Sequence, residues 1–185
     1  MADDPECPRP LSPSTIRPST IRPSTTRTGT RATLPDGLYG VLDGAHWRSL
    51  PGFTLALASV DPHGRVHTSL LGLGEVLARS RAGAQHDSLR FALWPGARSV
   101  AYLARCGRAT LSCVFDATFF QIHLDTVERL ADAAGLARFN ARVEQVEAQR
   151  VAYAALTSGI SYTLIEDAAT VDARKAEQIA ALRAD

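Results

Sequence analysis

Between Phe53 and Leu130, apolar side chains recur at every second position in short runs that end at turn residues. This pattern restricts the fold more than any other feature of the chain. Phe53, Leu55 and Leu57 alternate with Thr54, Ala56 and Ala58, the period of a strand with one buried face. Asp61-Pro62-His63-Gly64 follows, with proline second and glycine last, a type I turn signature. Val66 to Leu77 reads as a longer returning strand broken by Gly72 and Gly74, which mark a bulge, a bend or a backbone approached by a ligand. Residues 79–87 are polar and read as a surface loop. Ser88 to Trp94 alternates again through Leu89, Phe91 and Leu93, and Pro95-Gly96 stops it. Runs joined by such short links pair as hairpins; a parallel sheet would need a crossover helix between most strands.

Helical periods enter at three places. Arg98 to Cys106 reads as a short helix with Val100, Leu103 and Ala104 on one face and Gly107 at a left-handed C-terminal cap. Ala109 to Phe115 and Phe119 to about Leu130 then form a hairpin around Asp116-Ala117-Thr118. In its second strand Phe120, Ile122 and Leu124 alternate with Gln121, His123 and Asp125. The spacing of Leu136, Phe139, Val143 and Val146 predicts a long amphipathic helix to about Thr157. A last strand over Ser161 to Ile165 and a closing helix over Ala173 to Arg183 are expected. The predicted fold is mainly β (α+β), a small antiparallel barrel of six strands with flanking helices and Greek-key-like connections.

The N-terminus is of another kind. Pro13-Ser14-Thr15-Ile16-Arg17 recurs from Pro18 to Arg22 and again, with Thr26 for Ile, from Pro23 to Arg27. A five-residue repeat of this composition buries no face at helical or strand period, so residues 1–33 are expected to be disordered and residues 34–185 to form the domain. The first 35 residues hold five arginines and three acids, which leaves the rest with 15 bases and 16 acids. A net charge of +1 argues against a nucleic-acid binder. No run approaches the roughly 20 apolar residues of a membrane span, and no apolar segment opens the chain as a secretory signal would. Three cysteines are too few for a disulfide scaffold. A cytoplasmic protein without nucleic-acid or membrane partners is expected.

The order of elements, together with three stretches, resembles the pyridoxamine 5′-phosphate oxidase-like family of flavin-binding split barrels. The stretches are SVDPHGRVHTSLLGLGE (59–75), SLRFALWPGARSVAYLARCGRATLSCVF (88–115) and FFQIHLDTVERL (119–130). The resemblance implies a split barrel, a homodimer with flavin mononucleotide (FMN) between subunits, and oxidoreductase chemistry on a small molecule. It leaves open a deazaflavin in place of FMN, or no cofactor. It implies cofactor contacts from His67, Thr68, Ser69 and Leu70 on one strand, from Arg98 and Ser99 where the helix opens, and from Gln121. The C-terminus, DARKAEQIAALRAD, lacks the histidine of the founding enzyme's substrate segment, so the broad family is implied and not that enzyme.

The residues support a phosphate site independently. A helix N-terminus presents unpaired backbone N–H groups, and an arginine can grip a phosphate with two parallel hydrogen bonds. Where relatives carry Ser-Arg-Lys, this chain has Ala97-Arg98-Ser99, and its one lysine, Lys175, lies far along the sequence. Arg65 or Arg105 could supply the missing charge. His67 and His123 are candidates for proton transfer because imidazole titrates near neutrality, although no catalytic residue is assigned. His63 and His67 straddle a turn and do not form a metal motif on one helix face. The other functional class open to this chain is a non-catalytic split-barrel protein that stores or senses flavin, haem or another ligand.

Overall fold

The computed structural model describes residues 25–79 and 85–184, so most of the Pro-Ser-Thr repeat and the middle of the 79–87 loop lie outside the described residues. Eight strands form one sheet in which every pairing is antiparallel. They are β1 (Thr25–Arg31), β2 (Thr54–Val60), β3 (Val66–Gly72), β4 (Val76–Arg79), β5 (Ser88–Leu93), β6 (Ala109–Phe115), β7 (Thr118–Arg129) and β8 (Ala137–Val151). The order is β3-β2-β6-β7-β8-β5-β4, with β1 added on β8. Its two end strands, β3 and β4, are joined through Leu73, Gly74 and Glu75, so the chain connects the ends of a sheet that is not closed by hydrogen bonds. Gly74 takes φ +105° at this bend, a conformation open to glycine at little cost.

The alternation does what its period implies. Leu55, Leu57, Leu71, Leu89, Phe91, Leu111, Ile122, Leu124 and Phe139 turn inward and are fully or almost fully buried. Each such side chain withdrawn from water contributes roughly 1.5–3 kcal/mol before entropy is counted. Three helices cover the sheet. These are α1 (Asp36–Leu42), which the sequence pattern did not reveal, α2 (Arg98–Cys106) and α3 (Ala168–Arg183). Short as it is, α1 buries Leu38, Val41 and Leu42. As expected, α2 ends at Gly107 in the left-handed conformation, its N–H bonded to the Leu103 carbonyl. No helix among the described residues is long and apolar enough to cross a membrane.

Six strands were expected and eight are present among the described residues; the stretch read as one strand over Val66 to Leu77 is two, β3 and β4, divided at the bend where Gly74 takes a positive φ. The predicted helix from Leu136 onward is strand β8, the longest in the sheet. The cause is a bulge: His123 pairs with Gln145 but Leu124 pairs with Val143, which leaves Glu144 as an extra residue. Burial therefore follows odd positions through Ala137, Phe139, Ala141 and Val143, then jumps to Val146. One inserted residue turns a spacing of two into a spacing of three, which imitates a helical stripe. The predicted strand over Ser161 to Ile165 is irregular chain, and everything from residue 152 to 170 is exposed. Within the stretch expected to be disordered, Thr25–Arg31 pairs with Val146–Val151 of β8, beyond the Ala137–Arg142 half that β5 occupies. An open strand edge there accepts a further strand through backbone bonds alone.

Three arginines fasten the C-terminal end of α3. Arg138, only 4% exposed, donates from Nε to the Ala131 carbonyl and from Nη1 to those of Ala181 and Ala184. Arg90 donates to the Leu182 and Ala184 carbonyls, and Arg79 to that of Arg183. The last carbonyls of a helix have no partner within it and carry its negative dipole end, so guanidinium groups satisfy both needs. This anchor fixes α3 across β4 and β5 and, with it, the placement of Lys175.

Candidate functional site

On β3 the implied site residues divide between two faces. His67 and Ser69 pair with Ser59 and Leu57 and turn towards α2; Thr68 and Leu70 pair with Ala58 and Ala56 on the outer face and are exposed. The Ser69 and Ser99 hydroxyls meet at 2.8 Å, which ties the middle of β3 to the first turn of α2. Ser99, Tyr102 and Leu103 lie on one helix face by their i, i+3, i+4 spacing, and Tyr102 sets its ring 5.1 Å from that of His67. His67, Ser69 and Ser99 are thus brought together. The 3% exposure of Ser99 and its bond to Ser69 make its hydroxyl a positioning group, so its backbone N–H is the part left to meet an anion.

Asp61 organises the approach to β3. One carboxylate oxygen accepts the backbone N–H groups of His63 and Arg65, each at 2.8 Å, and the other lies 3.2 Å from His67 Nε2. The Arg65 N–H, with help from His67 and the His63 N–H, holds this carboxyl below the ordinary aspartate range. Gly64, at φ +78°, completes the turn. The imidazole of His67 is therefore oriented by a carboxylate on one side and an aromatic ring on the other.

The N-terminus of α2 lacks a side-chain cap. Ala97 stands at the cap position, and the Ala97 N–H closes the preceding turn onto the Trp94 carbonyl at 2.9 Å. The first helical turn contains no acid. Arg98 is exposed, and its guanidinium makes no hydrogen bond or ion pair among the described residues. Together these leave a positive helix end with an uncommitted guanidinium beside it, a setting that favours an anion.

Gln121 is not part of this cluster. It lies on the outer face in a row that runs Leu70, Ala56, Ser112, Gln121, three strand spacings or about 14 Å from Leu70. Its amide oxygen accepts from Gln149 at 3.1 Å. One residue pair along the same face, His123 lies 3.1 Å from the Thr110 hydroxyl through Nδ1 and 3.6 Å from Glu147 through Nε2. Among the described residues no three metal-ligating side chains gather.

Sequence reasoning missed a cavity of about 370 Å³ at the far end of β3, between the β3–β4 bend, the exposed chain before α3, and α3 itself. Leu70 and Trp94 reach it, as do Glu75, Tyr162, Lys175 and Gln178. Glu75 accepts the Gly72 N–H at 2.7 Å, and burial raises its pKa against the opposing pull of that bond and of Lys175 and Arg174. The one available signal was that the chain's single lysine had to be somewhere.

No family model matches this chain. It is similar to Uncharacterized protein YclD of Bacillus subtilis (strain 168), with 28% identity over 134 residues that cover 71% of this chain and 84% of that protein. Among solved structures it is similar to an FMN-binding protein from Syntrophomonas wolfei subsp. wolfei. That match has a TM-score of 0.44 and 9% identity, and covers 61% of this chain and 87% of the other. It is also similar to the styrene monooxygenase flavin reductase from Pseudomonas putida S12, with a TM-score of 0.39 and 13% identity over 51% of this chain and 80% of that one.

Proposed function

We propose that this protein is an FMN-binding split-barrel flavoprotein that acts as an oxidoreductase on a small molecule, working as a homodimer with the cofactor between subunits. The observation that carries this reading is the junction of an open strand edge with a bare helix end. Among the described residues β3 pairs only with β2, so alternate backbone groups along His67–Leu70 point off the sheet. A flavin carries donors and acceptors along one edge of its ring, which an unpaired strand edge can match. Its phosphate needs N–H donors and positive charge, which the first turn of α2 and Arg98 supply.

The residues present fit the group in that respect. Arg98 would hold the phosphate, the Ser69–Ser99 bond would keep strand and helix at a fixed separation, and Thr68 and Leu70 would border the ring. Bound FMN supplies hydride or one-electron transfer. The chain's part is to orient the ring and exclude water. His67 donates its Nε2–H to the Asp61 carboxylate, which leaves Nδ1 as the ring nitrogen that can accept a hydrogen bond beside the strand. Val66 and Leu70 expose 66% and 55% of their surfaces along this edge, apolar area that the cofactor and a second subunit would cover.

The test is direct. The purified full-length protein is expected to show flavin absorbance, or to quench the fluorescence of added FMN in a saturable way, and to elute as a dimer by light scattering. Arg98→Ala is expected to weaken FMN binding about tenfold or more, as loss of a charge-assisted phosphate contact should. A colourless protein that ignores added FMN overturns the proposal. If FMN binds, its reduction by a nicotinamide donor separates an enzyme from a binding protein.

A further inference from the structure

The 370 Å³ cavity at the end of β3 contains more hydrogen-bonding capacity than the protein uses. Four residues of α3 line it, Val171, Arg174, Lys175 and Gln178, at the i, i+3, i+4, i+7 spacing of one helix face. Gln178 is only 7% exposed, yet its side-chain amide makes no hydrogen bond among the described residues. A mostly buried side chain whose amide turns to a cavity without a protein partner marks a place where another molecule can bond to it. Lys175 donates one of its three N–H groups to the Tyr162 hydroxyl at 3.1 Å. Tyr162 accepts that bond and keeps its own O–H to donate. Its hydroxyl fits there because Gly72 has no side chain: a Cβ at Gly72 would stand 3.0 Å from it.

The remaining charges are occupied. Arg174 is bound to Glu166 at 2.8 Å, and Glu75 holds the Gly72 N–H while burial moves it towards its uncharged form. The donors left over in the lining are therefore the Lys175 ammonium, the Tyr162 hydroxyl and the Gln178 amide. Leu70, Trp94 and Ile160 line the same cavity with exposed apolar surface. Three donors around one cation match the two oxygens of a carboxylate, and the apolar rim matches a flat hydrocarbon ring. We propose that this cavity is a binding site for a small aromatic monocarboxylate, with Lys175, Tyr162 and Gln178 holding the carboxylate and Trp94 and Leu70 the ring. The cavity contains none of the residues that would hold the FMN phosphate, and it adjoins the strand that would border the FMN ring through Leu70.

Both tryptophans of the chain report on it, since Trp94 lines the cavity and the Lys175 ammonium lies 5.6 Å from the Trp47 ring. Titration of the full-length protein with benzoate is expected to change tryptophan fluorescence saturably, and neutral benzyl alcohol to bind about tenfold or more weaker. Lys175→Met is expected to weaken benzoate about tenfold or more, Gln178→Leu severalfold, and Lys175→Arg, which keeps the charge, by less than about threefold. Arg98→Ala, the variant that tests the FMN site, is expected to leave benzoate binding unchanged, so the two proposals fail separately. Melting curves identify any variant that does not fold, and Lys175→Arg then carries the comparison with benzyl alcohol. Absence of saturation up to about 10 mM benzoate, far above the range of useful affinity, overturns the proposal. So does equal binding of benzoate and benzyl alcohol, or unchanged affinity in a folded Lys175→Met protein.

Discussion

Replacing Ala117 by glycine should stabilise this protein, against the usual effect of introducing glycine. Asp116 and Ala117 form the two-residue loop between Phe115 and Thr118, which are paired, and both have positive φ, 46° and 53°. That is the type I′ geometry favoured in tight hairpins because its twist matches that of the strands. An L-residue held in the left-handed region costs roughly 1–2 kcal/mol, because its Cβ crowds the following carbonyl oxygen. Asp116 tolerates the region better than most residues, but alanine has no compensating side chain. Glycine removes the penalty and returns about 0.5–1 kcal/mol through greater freedom of the unfolded chain. The net gain is about 0.5–1 kcal/mol, or a rise of about 1–4 °C in Tm for a domain of this size. Equilibrium urea unfolding should show a higher midpoint with unchanged slope. Ala117→Val, which puts a β-branched residue at the same φ, should shift the midpoint the other way. Glycine equal to or less stable than alanine, with valine no worse, would refute the assigned turn.

Two further outcomes test other parts of the fold. Phe139, fully buried on β8 and stacked on Phe91 at 5.4 Å, should cost about 3–5 kcal/mol when cut to alanine, whereas Glu144→Ala at the exposed bulge should change stability by about 0.5 kcal/mol or less. Comparable effects in urea melts would show that the inward register of β8 is wrong. Glu75 binds its proton more tightly when folded than when unfolded, so stability should fall as pH rises from the ordinary glutamate range through its raised folded pKa. Glu75→Gln should remove that slope and raise Tm at neutral pH; an unchanged Tm–pH profile in the variant would contradict the burial argument.

β2, β5, β6 and β7 were legible because each carries a clean two-residue alternation, whereas β3 and β4 were read as one broken strand over Val66 to Leu77. The turns after β2 and β5 were legible because proline and glycine sit where backbone geometry demands them. Gly107 was legible as a helix cap for the same reason. β8 was not, since a bulge is a relation between two strands and leaves in one sequence only a spacing that mimics a helix. α1 was missed because seven residues hold too few repeats to establish a period. At the α2 end, the placement of Arg98 could be read from local sequence, since a helix start and a charge are adjacent in the chain. Ser69 meeting Ser99 across 30 residues depends on how the helix packs over the sheet.

By itself, then, the sequence determined an antiparallel, mainly β domain and the position of a helix end suited to an anion, because both follow from short-range periodicity and local backbone preference. Tertiary structure alone decided that His67 and Ser69 face α2 while Thr68 and Leu70 face outwards, and that Gln121 stands three strands away. It also decided where the only lysine goes. Three arginines bind the C-terminal carbonyls of α3 and hold it across the sheet, so a residue about 100 positions from Leu70 in sequence lines the same cavity. Cavities of this kind are assembled by packing between distant segments, and no local pattern in the chain encodes them.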